Sequence, residues 1–152
     1  MWQRIQTLWL LLAGIAMTVL LFKPIGLLIG PEGQGYAMNI LGLYAPATNA
    51  LVKSTWGLFA LDTIIVLISF ATIFLYKKRI LQIRLCIFNI LVTIGFLIYL
   101  GMQIWQICSA ENLEFGFRFW LCMPIVSIIL HYLAIRGIGA DEAMIRAAER
   151  LR

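Results

Sequence analysis

Four long apolar stretches, separated by short polar segments that hold most of the charges, dominate the pattern along the chain. A helix needs roughly 17–25 apolar residues to cross the hydrocarbon core of a bilayer, and every stretch is in that range. The pattern predicts an all-α membrane protein in which four transmembrane helices form an antiparallel bundle. The predicted spans of this single domain are residues 5–22, 56–76, 85–108 and 117–135 of a chain of 152 residues.

Composition excludes a water-soluble fold. Hydrophobic residues make up 62% of the chain and charged residues 12%, against about 45–50% and about 25% in soluble domains. The first stretch is read as a retained helix rather than a signal peptide, because no small-residue cleavage site follows it. The net charge of +5 does not indicate nucleic-acid binding, since no soluble module carries it.

The cations divide unequally between the two sides of the predicted membrane. One side holds nine of them and the other holds three, Lys23, Lys53 and Arg118. Lys and Arg accumulate on cytoplasmic segments, so both termini and the 77–84 turn are predicted to face the cytoplasm of a bacterial inner membrane. This basic face is a candidate surface for a membrane or cytoplasmic protein partner, or for anionic lipid headgroups. Its nine cations are Arg4, Lys77, Lys78, Arg79, Arg84, Arg136, Arg146, Arg150 and Arg152.

Two segments outside the spans have their own patterns. The outer loop, residues 23–55, is rich in glycine yet contains an apolar run over residues 36–41, so we expect it to fold back as a lid or a short hairpin, or to lie at the headgroups. The tail, residues 136–152, reads as a short amphipathic helix that Asp141 caps. This helix is expected to rest on headgroups or a partner, or to stay solvated.

Within the tail, Glu142 and Arg146 have the i,i+4 spacing of an ion pair. Arg84 and Arg136 are within reach of the acidic tail residues Asp141, Glu142 and Glu149, which would dock the tail under the helices.

Polar residues inside the spans fall on single helix faces, as side chains turned away from lipid must. In the third span, Asn89, Thr93 and Gln103 share one face. Depth along the helices, at about 1.5 Å per residue, predicts an outer polar cluster and an inner one. The outer cluster consists of Asp62, Gln103 and Arg118, and the inner one of Asn89 and His131.

Asp62 and His131 each have alternative interpretations. Asp62 is interpreted first as a structural partner of Arg118 or of another hydrogen-bonding group. It is alternatively an ion or proton site, because acids inside a membrane are often functional, or a residue just outside the span that stays in water. His131 is read as a hydrogen-bonded residue between helices rather than a metal ligand, since no second ligand stands at a suitable spacing.

Catalytic motifs are absent from the sequence. It contains no GxSxG, P-loop or HExxH pattern, and Cys86, Cys108 and Cys122 are isolated. A Cys108–Cys122 disulfide is disfavoured by a depth offset of about five residues, at 1.5 Å per residue. No catalytic residue, cofactor or metal is therefore predicted, and an enzyme is disfavoured without being excluded.

Two stretches and the opening residues carry a resemblance. They are residues 74–89 around the basic turn, residues 134–152 ending in Glu-Arg-Leu-Arg, and Gln3-Arg4-Ile5-Gln6-Thr7. Together they resemble a family of small four-helix bacterial membrane proteins known only as a domain of unknown function. The resemblance implies a four-span inner-membrane protein and supplies no activity.

The first functional interpretation is a non-enzymatic accessory or scaffold subunit with a basic cytoplasmic face. The alternatives are a small transporter or ion-conducting protein that uses Asp62, and a membrane enzyme that handles lipid or quinone.

Overall fold

Four helices form the greater part of the protein, and each overlaps a predicted span, although α3 and α4 extend well beyond theirs and α4 begins later than predicted. The computed structural model describes residues 2–45 and 47–151, with side chains from residue 5 onward. All four helices are long and apolar enough to cross a membrane. They are α1 (Trp2–Phe22), α2 (Trp56–Phe74), α3 (Arg79–Glu111) and α4 (Met123–Arg150), the last preceded by a 3-10 turn over Phe119–Cys122.

The helices pack side by side, so that α1 and α3 each contact both α2 and α4. With 33 residues, α3 is about 50 Å long at 1.5 Å per residue, whereas the hydrocarbon core is about 30 Å thick. The ends of α3 therefore extend beyond an apolar layer of that thickness.

The prediction of an all-α fold is wrong, because the two outer loops form a five-stranded antiparallel sheet. The 23–55 loop supplies four strands, which is more than the lid or single hairpin that was expected. The fifth strand lies between α3 and α4. The strands are β1 (Gly26–Ile29), β2 (Gly35–Asn39), β3 (Gly42–Tyr44), β4 (Leu51–Ser54) and β5 (Glu114–Phe117), in the order β4-β3-β2-β1-β5.

Pairing between β1 and β5 joins the two outer loops, with Gly26 opposite Phe117. A Cβ atom at Gly26 would lie 2.4 Å from the Phe115 ring, so a larger residue here would displace that ring. The apolar run at residues 36–41 enters the sheet because its backbone polar groups need partners once its side chains are buried. Met38, Ile40 and Leu43 are fully or almost fully buried.

One hydrophobic core continues from the helices into the sheet. Met17 of α1 and Phe96 of α3 belong to the same buried cluster as Leu28 of β1. The sheet therefore covers one end of the helices, and the α2–α3 turn lies at the other end.

The predicted short C-terminal helix is also wrong, because α4 continues without a break to Arg150. Gly137 lies inside α4, where a Cβ atom would come within 3.0 Å of Gln6 Cγ. The glycine thus permits a close approach of α1 rather than ending the helix. The basic turn is likewise shorter than predicted, since α2 ends at Phe74 and α3 begins at Arg79.

Candidate functional site

The polar residues of the helices lie inside, and many large apolar side chains lie outside. Leu67, Leu91 and Ile98 are each more than 60% exposed, an inversion that suits a lipid solvent better than water. We call the buried set the polar seam. Its members are Asp62, Ser69, Asn89, Thr93, Ser127 and His131, none more than 1% exposed.

The structure brings Asn89 and His131 together in the inner half of the seam. Asn89 Nδ2 is 2.9 Å from His131 Nε2, and it donates a hydrogen bond to Ser69 Oγ at 2.8 Å. It is also 3.3 Å from the carbonyl oxygen of Ile65. These contacts link α2, α3 and α4 through buried polar atoms.

The contacts of His131 determine which of its ring nitrogens carries the proton. The carbonyl oxygen of Ser127 can only accept, so the neighbouring Nδ1 carries the proton, and in the neutral ring Nε2 is the acceptor of the Asn89 amide. Nδ1 then donates to the Ser127 carbonyl oxygen at 2.8 Å. Both nitrogens of a neutral imidazole are thus satisfied within the protein.

Asp62 lies in the same seam without such partners. Its side chain is 0% exposed, and neither carboxylate oxygen accepts a hydrogen bond from any described residue. A buried carboxyl without a partner is unfavourable. The Oδ1 atom of Asn89 is also buried and unpaired, so the seam has three acceptor atoms that no described donor satisfies.

The outer polar cluster predicted around Asp62 does not form. Gln103 donates instead to the hydroxyl of Tyr99, one turn away in α3, at 2.9 Å. Arg118 is exposed and precedes the 3-10 turn. The prediction assumed that Arg118 begins the fourth helix at the depth of Asp62. The sheet occupies this end of the helices instead, and the chain passes through β5 before it reaches α4.

Four cations of the predicted basic face line one groove at the opposite end. The groove has a volume of about 640 Å³ and lies between the start of α3 and the last turns of α4. Its basic lining residues are Lys77, Lys78, Arg79 and Arg84, and its single carboxylate is that of Glu142. The Nη1 atom of Arg79 is buried and has no hydrogen-bond acceptor among the described residues.

The other cations of the basic face lie on α4 or outside the described side chains. Arg136, Arg146 and Arg150 are exposed on α4. Arg152 lies outside the described residues, as does the side chain of Arg4.

Two of the three acidic tail residues, Asp141 and Glu142, have partners other than Arg84 and Arg136. Asp141 accepts a hydrogen bond of 2.6 Å from Gln6 of α1 and does not cap a helix. Glu142 pairs with Arg146 at 3.1 Å, at the i,i+4 spacing that the sequence indicated. The tail is therefore held by α1, and the two arginines form no ion pair with a described residue.

Sequence reasoning did not name Ser69, Ser127 or Gln6 as site residues. The serines share the helix faces of Asp62 and His131, so their i,i+7 and i,i+4 spacing was an available signal. Gln6 pairs with a residue 135 positions away, and no local pattern indicates that contact. All three cysteines are free, and no group of three or more potential metal ligands occurs among the described residues.

Comparison with known proteins places the chain in a family and goes no further. No curated protein matches it. A family model described as "Domain of unknown function (DUF4293)" matches residues 2–151, which is nearly the whole chain and agrees with the resemblance seen at the basic turn and the tail. The chain therefore belongs to the DUF4293 family, whose function is unknown.

Proposed function

We propose that the protein is a non-enzymatic accessory or scaffold subunit of a bacterial inner membrane, crossing it four times with both termini in the cytoplasm. The single observation that carries this proposal is the separation of the two ends. The helices bury their polar seam and expose apolar side chains, the sheet closes one end, and four cations surround an open groove at the other.

Several features support a surface for assembly rather than catalysis. The polar contacts of His131 are used between helices, and the exposed last turns of α4 project past the start of α1. Asp141 meets Gln6 near the beginning of α1, and nine further described residues of α4 follow it, up to Arg150. Such a projecting helix beside a basic groove is accessible to a partner on that side.

Photo-crosslinking in living cells tests this function. A photoreactive amino acid replaces Met144, which is 63% exposed on the projecting part of α4, and the matched control replaces Leu67, which is equally exposed on α2. We expect Met144 to crosslink one defined protein that also co-purifies, and Leu67 to crosslink lipid. The crosslink should weaken when Lys77 and Lys78 become Gln. Identical lipid adducts at both positions would count against a scaffold.

The state of Asp62 favours one other candidate function, a small transporter or ion-conducting protein. Asp62 is a wholly buried acid with two unpaired oxygens, and acids within transmembrane helices often mark proton or cation pathways. Liposomes containing the purified protein would report proton and sodium flux. Flux that Asp62→Asn abolishes and Thr63→Ala retains would favour this candidate, because Thr63 only bonds the Phe59 carbonyl oxygen of its own helix.

A further inference from the structure

The groove at the start of α3 has the features of a binding site for one phosphorylated, apolar molecule. We propose that it binds an anionic phospholipid, with the phosphate among the cations and an acyl chain along the neighbouring apolar surface. This proposal rests on the proposed function, which places the groove at a membrane surface, and it names the ligand of the basic face.

The charge of the groove favours an anion. Lys77, Lys78, Arg79 and Arg84 line it with a single carboxylate, that of Glu142. Arg146 already pairs with that carboxylate from outside this groove. The four cations are therefore not neutralised by described residues, and phosphate oxygens are strong acceptors for such groups.

One side-chain donor of a groove-lining residue lacks an acceptor. The Nη1 atom of Arg79 is shielded from solvent and unpaired, and a buried guanidinium donor of this kind is unfavourable until it meets an acceptor. Arg79 also begins α3, whose first turn has no side-chain cap, so the leading amide groups of the helix lack intrahelical partners. An anion at this end of α3 is therefore favoured by the helix N-terminus as well as by the four cations.

The adjoining surface distinguishes a lipid from free phosphate. A second groove of about 410 Å³ shares Ile80, Arg84 and Glu142 with the first. Its remaining lining residues are Ile83, Gly139, Ala143 and Arg146, so its wall combines apolar residues with the Arg146–Glu142 ion pair. A basic lobe that continues into an apolar lobe fits a headgroup with an attached chain, whereas inorganic phosphate would leave the second lobe unfilled.

Native mass spectrometry of the full chain tests the proposal independently of membrane orientation. The purified protein is incubated in detergent with dioleoyl phosphatidylglycerol or dioleoyl phosphatidylcholine, which have identical chains, and the retained lipid is counted. We expect clear preference for phosphatidylglycerol, and Arg79→Gln should reduce it about fivefold, as expected for one basic residue near an anionic headgroup. Lys53→Gln, in the exposed strand β4, is the matched control and should leave it unchanged.

Two further measurements control for misfolding of the Arg79→Gln variant and distinguish a lipid phosphate from free phosphate. Lys78→Gln changes an exposed residue in the turn and should reduce the preference even where Arg79→Gln destabilises the protein. Inorganic phosphate at about 10 mM should not displace phosphatidylglycerol, because phosphate lacks the acyl chain whose burial in the apolar lobe adds to the affinity of the lipid. Displacement by phosphate overturns the lipid assignment. Equal retention of both lipids, or unchanged preference in both variants, overturns the site and leaves the face to a protein partner, which the crosslinking at Met144 detects separately.

Discussion

Asp62 and His131 are buried to the same degree between the helices, but only the histidine has partners. His131 is 1% exposed and contacts Asn89 and the Ser127 carbonyl oxygen at 2.9 and 2.8 Å, while Asp62 is 0% exposed and contacts no hydrogen-bond donor of the described chain. Burial of an ionisable group is therefore not a sufficient sign of function. The packing of three helices accounts for the histidine and leaves the aspartate unexplained.

The largest effect is expected from removing the amide that connects the histidine to its neighbours. Asn89→Leu eliminates the three contacts of this amide, with Ser69 Oγ, His131 Nε2 and the Ile65 carbonyl oxygen, so the free energy of unfolding should fall by about 2 kcal/mol. Thermal unfolding in detergent measures this change. Phe88→Leu, at the adjacent exposed position, is the control and should have little effect. A stable Asn89→Leu variant would remove the structural account of His131.

A change of opposite sign is expected at the aspartate. Asp62→Leu replaces a carboxyl that has no partner, so the melting temperature should rise, corresponding to about 1 kcal/mol. Asp62→Asn is the matched control, because its amide needs partners in the same place and should bring no gain. If Asp62→Leu destabilises the protein as strongly as Asn89→Leu, Asp62 has a stabilising partner and the contrast with His131 disappears.

The smallest effect is expected at Ser127, whose hydroxyl is 3.4 Å from His131 Nδ1. The carbonyl oxygen of the same residue makes the shorter contact, and substitution does not remove it. Ser127→Ala should therefore change the free energy of unfolding by less than about 0.5 kcal/mol. Ser69→Ala is the comparison, because it removes an acceptor of the Asn89 amide at 2.8 Å. The Ser69→Ala variant should therefore be less stable than the Ser127→Ala variant.

The helical part of the fold follows from the sequence because spanning length and helical periodicity are local properties. The face shared by Asn89 and Thr93 is buried, as its period of 3.6 residues indicated. The sheet could not be derived in the same way. Its strands contain only three to five residues, and β1 pairs with β5 across most of the chain, so neither length nor alternation indicates the register.

The candidate sites show the same limit. Depth matching brought Asn89 and His131 to one level because both lie within uninterrupted helices. It failed for Asp62 and Arg118, because Arg118 lies between β5 and the 3-10 turn, outside α4. The basic groove combines residues of the α2–α3 turn and the first turns of α3 with Glu142 and Ile145 of α4. The two α4 residues reach the groove because α4 continues past Gly139.

Site-directed labelling tests most directly the claim that the groove faces the cytoplasm and the sheet faces the opposite side. In a variant without the three native cysteines, Lys77→Cys or Glu32→Cys, both at exposed positions, is treated with a membrane-impermeant maleimide. The account predicts labelling of Glu32→Cys in spheroplasts and of Lys77→Cys only in inverted vesicles. Labelling of Lys77→Cys from outside intact spheroplasts would contradict it.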